Sequence, residues 1–313
     1  MILTLTPNPA IDLTYGVAEL VRGSSHRVDA PLSRAGGKGI NVSRVLHSQG
    51  VPTKVLATAG GDTGRELSEG LAGLDHRLVP VQAPTRRTIA LVDDHDGQTS
   101  IFNEYGAPLE AAEWRALASA LAEELLGATV LVASGSLPQK APGDFFPGVV
   151  ALGRAAGIPV IVDTSGAALL SAASAGADLL KPNRAELAEA TGEREVSAGA
   201  RVLLGLGARS LLVSNGEEGM LLFTAGVPGY WSARLLEPLQ GNPTGAGDAA
   251  VAGAASILAV AASQGVDVAP EALLARAAAW GSAAVLTPGA GEISPSWPEL
   301  ESTLQLSHHR SVD

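Results

Sequence analysis

Short runs of apolar, β-branched residues alternate with Ala- and Leu-rich stretches along almost the whole chain, and this alternation limits the possible folds more than any other feature. Ile2 to Thr6, Val55 to Ala59, Val130 to Ser134, Val160 to Asp163, Leu179 to Lys181 and Leu211 to Ser214 read as buried strands, being short, apolar on both faces and β-prone. Helical patterns begin after Ile40 and cover 111–126, 144–156, 186–191, 197–206, 246–264 and 270–286. Strands buried on both faces and separated by helices build a mainly parallel sheet with helices on each side. Ligands in such α/β folds gather at the carboxyl ends of the strands, so the strand-to-helix turns are where chemistry is sought.

Two stretches break the rhythm. Residues near 11–33 and 86–104 are more polar and partly alternating, with a turn signal at Asp93-Asp94-His95-Asp96-Gly97. They are expected to form a small antiparallel sheet outside the main one, a discontinuous lid on a single catalytic unit spanning 1–313. Exposed edges and apolar positions such as Ile89, Leu91 and Ile101 call for a cover, so a homodimer through the lid is expected. The polar tail after Ser307 is expected to fray.

Composition narrows the partners. With 313 residues, 46% hydrophobic and 17% charged, the chain buries a sizeable core. A net charge of −11 with only 21 Lys and Arg argues against nucleic-acid or anionic-membrane partners, whose binding needs a clustered basic surface. The absence of cysteine excludes disulfides, thiolate catalysis and zinc-thiolate sites. The N-terminus does not read as a signal peptide, so a cytoplasmic location is expected. The most apolar run, Ala249 to Ala262, falls short of the roughly 20 residues that span a bilayer and reads as a buried helix.

The strongest local signal is Asn242-Pro243-Thr244-Gly245-Ala246-Gly247-Asp248, leading directly into that helix. Three small residues leave amide groups bare at a helix N-terminus, which favours an anion. An Asp beside a bound phosphate needs a task, and accepting the proton of an attacking hydroxyl is one; a simple helix cap is the other reading of Asp248. Gly245 to Ala250 also fits the dinucleotide pattern G-x-G-x-x-A, with Asp267 about 20 residues on, but no strand leads to Asp267 and no βαβ unit follows. A second glycine cluster, Ala35-Gly36-Gly37-Lys38-Gly39-Ile40-Asn41, opens another helix without the Ser or Thr of a P-loop, and suits a polyhydroxylated anion. Asp12, closing Thr6-Pro7-Asn8-Pro9-Ala10-Ile11-Asp12, can accept from vicinal hydroxyls or form an Asx turn. Metalloprotease and serine-hydrolase motifs are missing, and Trp114, Trp231, Trp280 and Trp297 are scattered rather than set as a stacking platform.

These three segments, in this order, resemble the PfkB (ribokinase-like) carbohydrate kinases, and most of all the branch with 1-phosphofructokinase and tagatose-6-phosphate kinase. Further matches are Gly61-Asp62-Thr63-Gly64, Thr85-Arg86, Ser134-Gly135-Ser136-Leu137-Pro138, Asp163-Thr164-Ser165-Gly166, Lys181-Pro182-Asn183-Arg184-Ala185-Glu186 and Ser214-Asn215-Gly216. The resemblance implies a three-layer αβα sandwich with a β lid, and ATP-dependent, Mg²⁺-assisted transfer to a sugar phosphate. It assigns the anion hole to Gly245, Ala246 and Gly247 and the general base to Asp248. It places Asp12, Gly37, Lys38, Asn41 and Ser136 on the sugar, and Arg86, with Lys38 and Arg27, on the phosphate already present. A guanidinium fork suits that phosphate, and of the neighbours Arg86 and Arg87 only one can face it. Asn183 and Glu186 would organise Mg²⁺ through water, although Asn-x-x-Glu spacing is equally a capping box. Lys181, Ser214 and Gly216 would border the nucleotide.

The chain departs from the branch at Pro243-Thr244, Ala249-Ala250 and Asn215, which leaves the sugar open. The expected acceptor is a ketohexose monophosphate: fructose 1-phosphate first, then fructose 6-phosphate or tagatose 6-phosphate. A kinase of a free sugar or nucleoside and a catalytically dead sugar-phosphate-binding regulator are the rivals.

Overall fold

Residues Ile2–Thr6 form the first strand, β1, and their alternation sets the layers of the molecule. Leu3 and Leu5 enter one core while Ile2 enters another on the opposite face, where Thr4 bonds the Ser43 hydroxyl at 2.8 Å. The computed structural model describes residues 1–310. The chain continues through β2 (Ala10–Val17), β3 (Leu32–Gly36), α1 (Lys38–Ser48), β4 (Thr53–Ala59), α2 (Gly61–Gly70), β5 (His76–Pro80), β6 (Arg86–Asp93) and β7 (Thr99–Asn103). Then come α3 (Ala111–Glu124), β8 (Val130–Ser134), α4 (Phe145–Ala155), β9 (Val160–Asp163), α5 (Gly166–Ser174), β10 (Leu179–Leu180), α6 (Arg184–Thr191), α7 (Val196–Leu206) and β11 (Ser210–Ser214). The last elements are β12 (Met220–Thr224), β13 (Tyr230–Arg234), α8 (Ala246–Gln264), α9 (Pro270–Val285), α10 (Trp297–Thr303) and β14 (Gln305–His309).

Among the described residues the main sheet has ten strands in the order β14-β13-β12-β11-β10-β9-β8-β1-β4-β5. From β11 to β5 the pairing is parallel, and β12, β13 and β14 extend one edge antiparallel. Helices α3 to α7 cover one face, and α1, α8, α9 and α10 the other. This is the three-layer αβα sandwich that the resemblance implied. The apolar run at Ala249 belongs to α8, a helix of 19 residues, long and apolar enough to cross a membrane by composition but mostly buried between α1 and α9.

The lid is a separate sheet in the order β3-β2-β6-β7. Its outer pairs are antiparallel as expected, whereas the central pair, β2 with β6, is parallel, because the chain returns to the lid by way of the main sheet. Residues 18–31 link β2 to β3 as an exposed loop. The expected fraying after Ser307 is corrected for His308 and His309, which pair with β13 and stack on Trp231 and Tyr230 at 4.5 and 4.6 Å. Residues 311–313 of that tail lie outside the described residues.

Candidate active site

The carboxyl ends of β1, β8, β9, β10 and β11 converge with the N-termini of α1 and α8, and there the sequence motifs meet. Gly245 caps α8 in the left-handed region, with φ 84°, and a Cβ on it would strike Ala290. Asp248 lies in the first turn, only 6% exposed, and accepts a hydrogen bond from Asn41 Nδ2 at 2.8 Å. It does not cap the helix, which removes the bland reading of the motif. Burial, and then the charge of Asp163, push its carboxyl up to about 7 against the pull of Lys38, Asn41 and Lys181. The dinucleotide reading fails too, because α8 runs to α9 with no strand between them.

Asp163 is the residue that sequence reasoning left without a role. Wholly buried at the end of β9, it accepts from Lys38 Nζ at 3.2 Å and Ser134 Oγ at 3.1 Å, with Lys181 Nζ at 3.7 Å. Burial alone would raise its pKa, but the charges of Lys181 and Lys38 and the hydrogen bonds hold it below the ordinary carboxylate range. Lys38 in turn is held above its usual range, chiefly by Asp163 and then Glu186, whose Oε1 is 3.6 Å away. A carboxylate closing the apolar strand Val160-Ile161-Val162-Asp163 was the available signal. Lys181 is 3% exposed, and its Nζ would sit 3.2 Å from a Cβ on Gly247, so the glycine leaves room for an ammonium beside the anion turn.

Asn183 and Glu186 do form the capping box: Glu186 N donates to Asn183 Oδ1 and Asn183 N to Glu186 Oε2, each at 2.8 Å. The cap uses one oxygen of Glu186 and leaves Oε1 toward Lys38. Asn183 also bridges to Ser214, placing Ser214 beside α6, while Gly216 opens an exposed turn with φ 59°. Among the described residues no three His, Asp or Glu side chains cluster as a metal cage. Asp163 and Glu186 nonetheless share Lys38, and a magnesium ion that keeps its waters needs only one or two such carboxylates and substrate phosphates.

On the lid side, Asp12 faces Thr88 of β6 and Arg34 of β3 across the strands. Its carboxyl is raised by burial, offset by a Thr88 hydrogen bond and by Arg86, Arg34 and Arg44. Gly36 has no room for a Cβ under this carboxylate, and Gly37 (φ 116°) and Gly39 pack on Thr6 at the end of β1. Arg86 donates from Nε to the Asn8 carbonyl at 3.4 Å and lies on the Asp12 side of the strand, one residue from the exposed Arg87. Asn8 Nδ2 donates to Ser136 Oγ at 3.0 Å, tying the predicted sugar contact Ser136 to the turn that follows β1. Arg27 differs from the others in sitting in the exposed 18–31 loop, with no described side-chain hydrogen bond or ion pair to the site. Its motif-free, polar surroundings gave no means of placing it.

A buried carboxylate at a glycine-lined helix start, with Lys38 and Lys181 paired to a second buried carboxylate nearby, is the arrangement of a phosphotransferase that acts on an alcohol. The profile of the "pfkB family carbohydrate kinase" matches residues 5–297, and the chain belongs to this family. It is 36% identical over 296 residues to the ATP-dependent 6-phosphofructokinase isozyme 2 of Mycobacterium tuberculosis, covering 92% of this chain and 85% of that one. It is 35% identical over 269 residues to the 1-phosphofructokinase of Xanthomonas campestris pv. campestris, covering 82% and 83%. The structure superposes on phosphofructokinase-2 of Escherichia coli in complex with fructose-6-phosphate with a TM-score of 0.84, 28% identity, and 96% and 98% of the two chains covered.

Proposed function

We propose that the chain is an ATP-dependent kinase that phosphorylates a free hydroxyl of a fructose monophosphate. Relatives named for phosphofructokinases of both specificities support the acceptor class. The observation that carries the reaction is Asp248: buried, hydrogen-bonded to Asn41, and with its carboxyl near 7, it is a base poised at neutral pH. Fructose 1-phosphate is the first acceptor to test; fructose 6-phosphate is the second, and both lead to the same 1,6-bisphosphate.

Asp12, Gly37, Asn41 and Ser136 hold the sugar, and Arg86 pairs with its phosphate, aiming the free hydroxyl at Asp248. As the hydroxyl oxygen attacks the γ-phosphorus, its proton passes to the Asp248 carboxylate and the bridging oxygen leaves with ADP. The amides of Gly245, Ala246 and Gly247, with Lys38 and Lys181, offset the charge spreading over the transferred group. Asn183, Glu186 and Asp163 are the residues that would hold the waters of a bound magnesium ion, which would neutralise charge on the nucleotide phosphates. Ser214 and Gly216 border the nucleotide. The lid joins two copies of the chain.

The test is ADP release from Mg·ATP with fructose 1-phosphate, fructose 6-phosphate, tagatose 6-phosphate, fructose and ribose. Turnover of a fructose phosphate, lowered about 10²- to 10⁴-fold in Asp248→Asn, is the expected result. Arg86→Ala raises KM for the phosphorylated ketose and leaves that for free fructose unchanged. Preference for a free sugar, or full activity in Asp248→Asn, refutes the reading.

A further inference from the structure

The loop 287–292, after α9, touches both halves of the site. Asn242 Nδ2 donates to its Pro288 carbonyl at 3.0 Å, and Ala290 packs where a side chain on Gly245 would be, so the loop backs the anion turn. A Cβ on Gly291 would lie 3.0 Å from Arg44 Cδ and 3.4 Å from Asn41 Cα, so the loop also presses on α1. Glu292 then reaches the lid: its Oε1 is 2.9 Å from Arg34 Nη2. Arg34 is the β3 residue directly opposite Asp12, and its other terminal nitrogen, Nη1, comes within 3.1 Å of where a Gly289 Cβ would be. Arg44 closes the circuit by donating to the Ala35 and Gly70 carbonyls, at 3.2 and 2.8 Å. Apart from the chain entering and leaving the lid, this ion pair is a side-chain tie from the lid strand under the acceptor to the loop behind the transferred phosphate.

We infer that Arg34 and Glu292 are a positioning pair that sets the lid, and with it Asp12, at a fixed distance from the anion turn. The inference rests on the reading of Asp12 as the acceptor contact and of Gly245 to Gly247 as the phosphate contact. Neither residue touches the reacting atoms. Both side chains are partly exposed, 28% and 49%, so the pair adds little to global stability, and its effect is on how often the lid sits in the productive place.

Arg34→Gln, Glu292→Gln, the double variant and the exchange Arg34→Glu/Glu292→Arg separate this role from a merely structural one. Each single variant is expected to raise KM for the fructose phosphate about three-fold, the scale of one exposed ion pair, with kcat, KM for ATP and the melting temperature as in the parent. The double variant is no worse than either single one, and the exchange recovers part of the loss. Amide exchange over 32–36 and 287–293 quickens in both single variants without any acceptor present. Unchanged KM, additive losses in the double variant, or a melting temperature that falls in step with activity overturns the inference. The exchange measurement stands even if Asp248→Asn disproves the wider reading, and unaltered exchange overturns the pair by itself.

Discussion

Asn41 Nδ2 stands 2.8 Å from the carboxylate of Asp248, a hydrogen bond between the first turns of two helices that lie 207 residues apart in sequence. It favours the ionised form of a carboxyl that burial has pushed up to about 7. Activity that needs ionised Asp248 therefore falls as pH drops through 7. In Asn41→Ala this acid limb moves to higher pH, because the lost donor no longer supports the charge. A profile of kcat/KM against pH with an unmoved limb would separate the limb from Asp248.

The same carboxyl is a cost to folding. Its folded-state pKa lies above the ordinary 3.8, so ionising it destabilises the fold progressively as pH rises from 4 to 7. Asp248→Asn is accordingly more stable than the parent at pH 8, and the gain disappears by pH 4. Thermal melts at the two pH values check this, and equal gains at both would contradict it.

Asp163 has the opposite sign. Its pKa is depressed, so the stability it contributes is full above the ordinary carboxylate range and is lost only as pH falls through the lowered folded value. Asp163→Asn removes the ion-pair partner of Lys181, at 3% exposure, and should cost about 3 kcal/mol in denaturant midpoint analysis at pH 7. A variant as stable as the parent would mean that Lys181 finds another partner.

How much of this was legible follows from where the information lies. Strands such as Val130–Ser134 and Val160–Asp163 are apolar on both faces and announce themselves, and the glycine turns before α1 and α8 stand out by composition. Helix α2 was missed because it is polar, with only Thr63, Gly64 and Leu67 buried, and β5 because a single residue, Val79, is buried. The edge strands β12 to β14 were missed because antiparallel partners, rather than an apolar run, define them. In the site, each motif was visible, but Asp163 takes Lys38 from 125 residues away and Ser134 from 29, and pairing at that range leaves no local pattern. The bond of Asn8 to Ser136 and the ion pair of Arg34 with Glu292 were hidden for the same reason.

Gly247→Ala isolates the role of the small residues. Alanine is the better helix former by about 1 kcal/mol, and Gly247 has no positive φ to lose, so stability should hold or rise. Its Cβ, however, would lie 3.2 Å from Lys181 Nζ, tighter than an ordinary contact, and shift the ammonium by a few tenths of an ångström beside the glycine turn. The expected outcome is a kcat lowered about ten-fold or more with an undiminished melting temperature. Unaltered kcat would show that the ammonium can move without consequence.

The lid leaves Leu32 70% exposed, Phe102 58% and Ile101 49%, an apolar surface on a chain whose net charge of −11 otherwise keeps copies apart. Successive residues of β7 point to opposite faces, so Ile101 shares a face with Asp12 and Leu32 while Phe102 is on the other. If two lids pack over the acceptor face, Leu32→Asp with Ile101→Asp breaks the pair and raises KM for the fructose phosphate, whereas Phe102→Asp does neither. Sedimentation at micromolar concentration reads the first effect and kinetics the second. A parent that sediments as a monomer, or a Leu32→Asp/Ile101→Asp variant that remains dimeric, places the contact elsewhere.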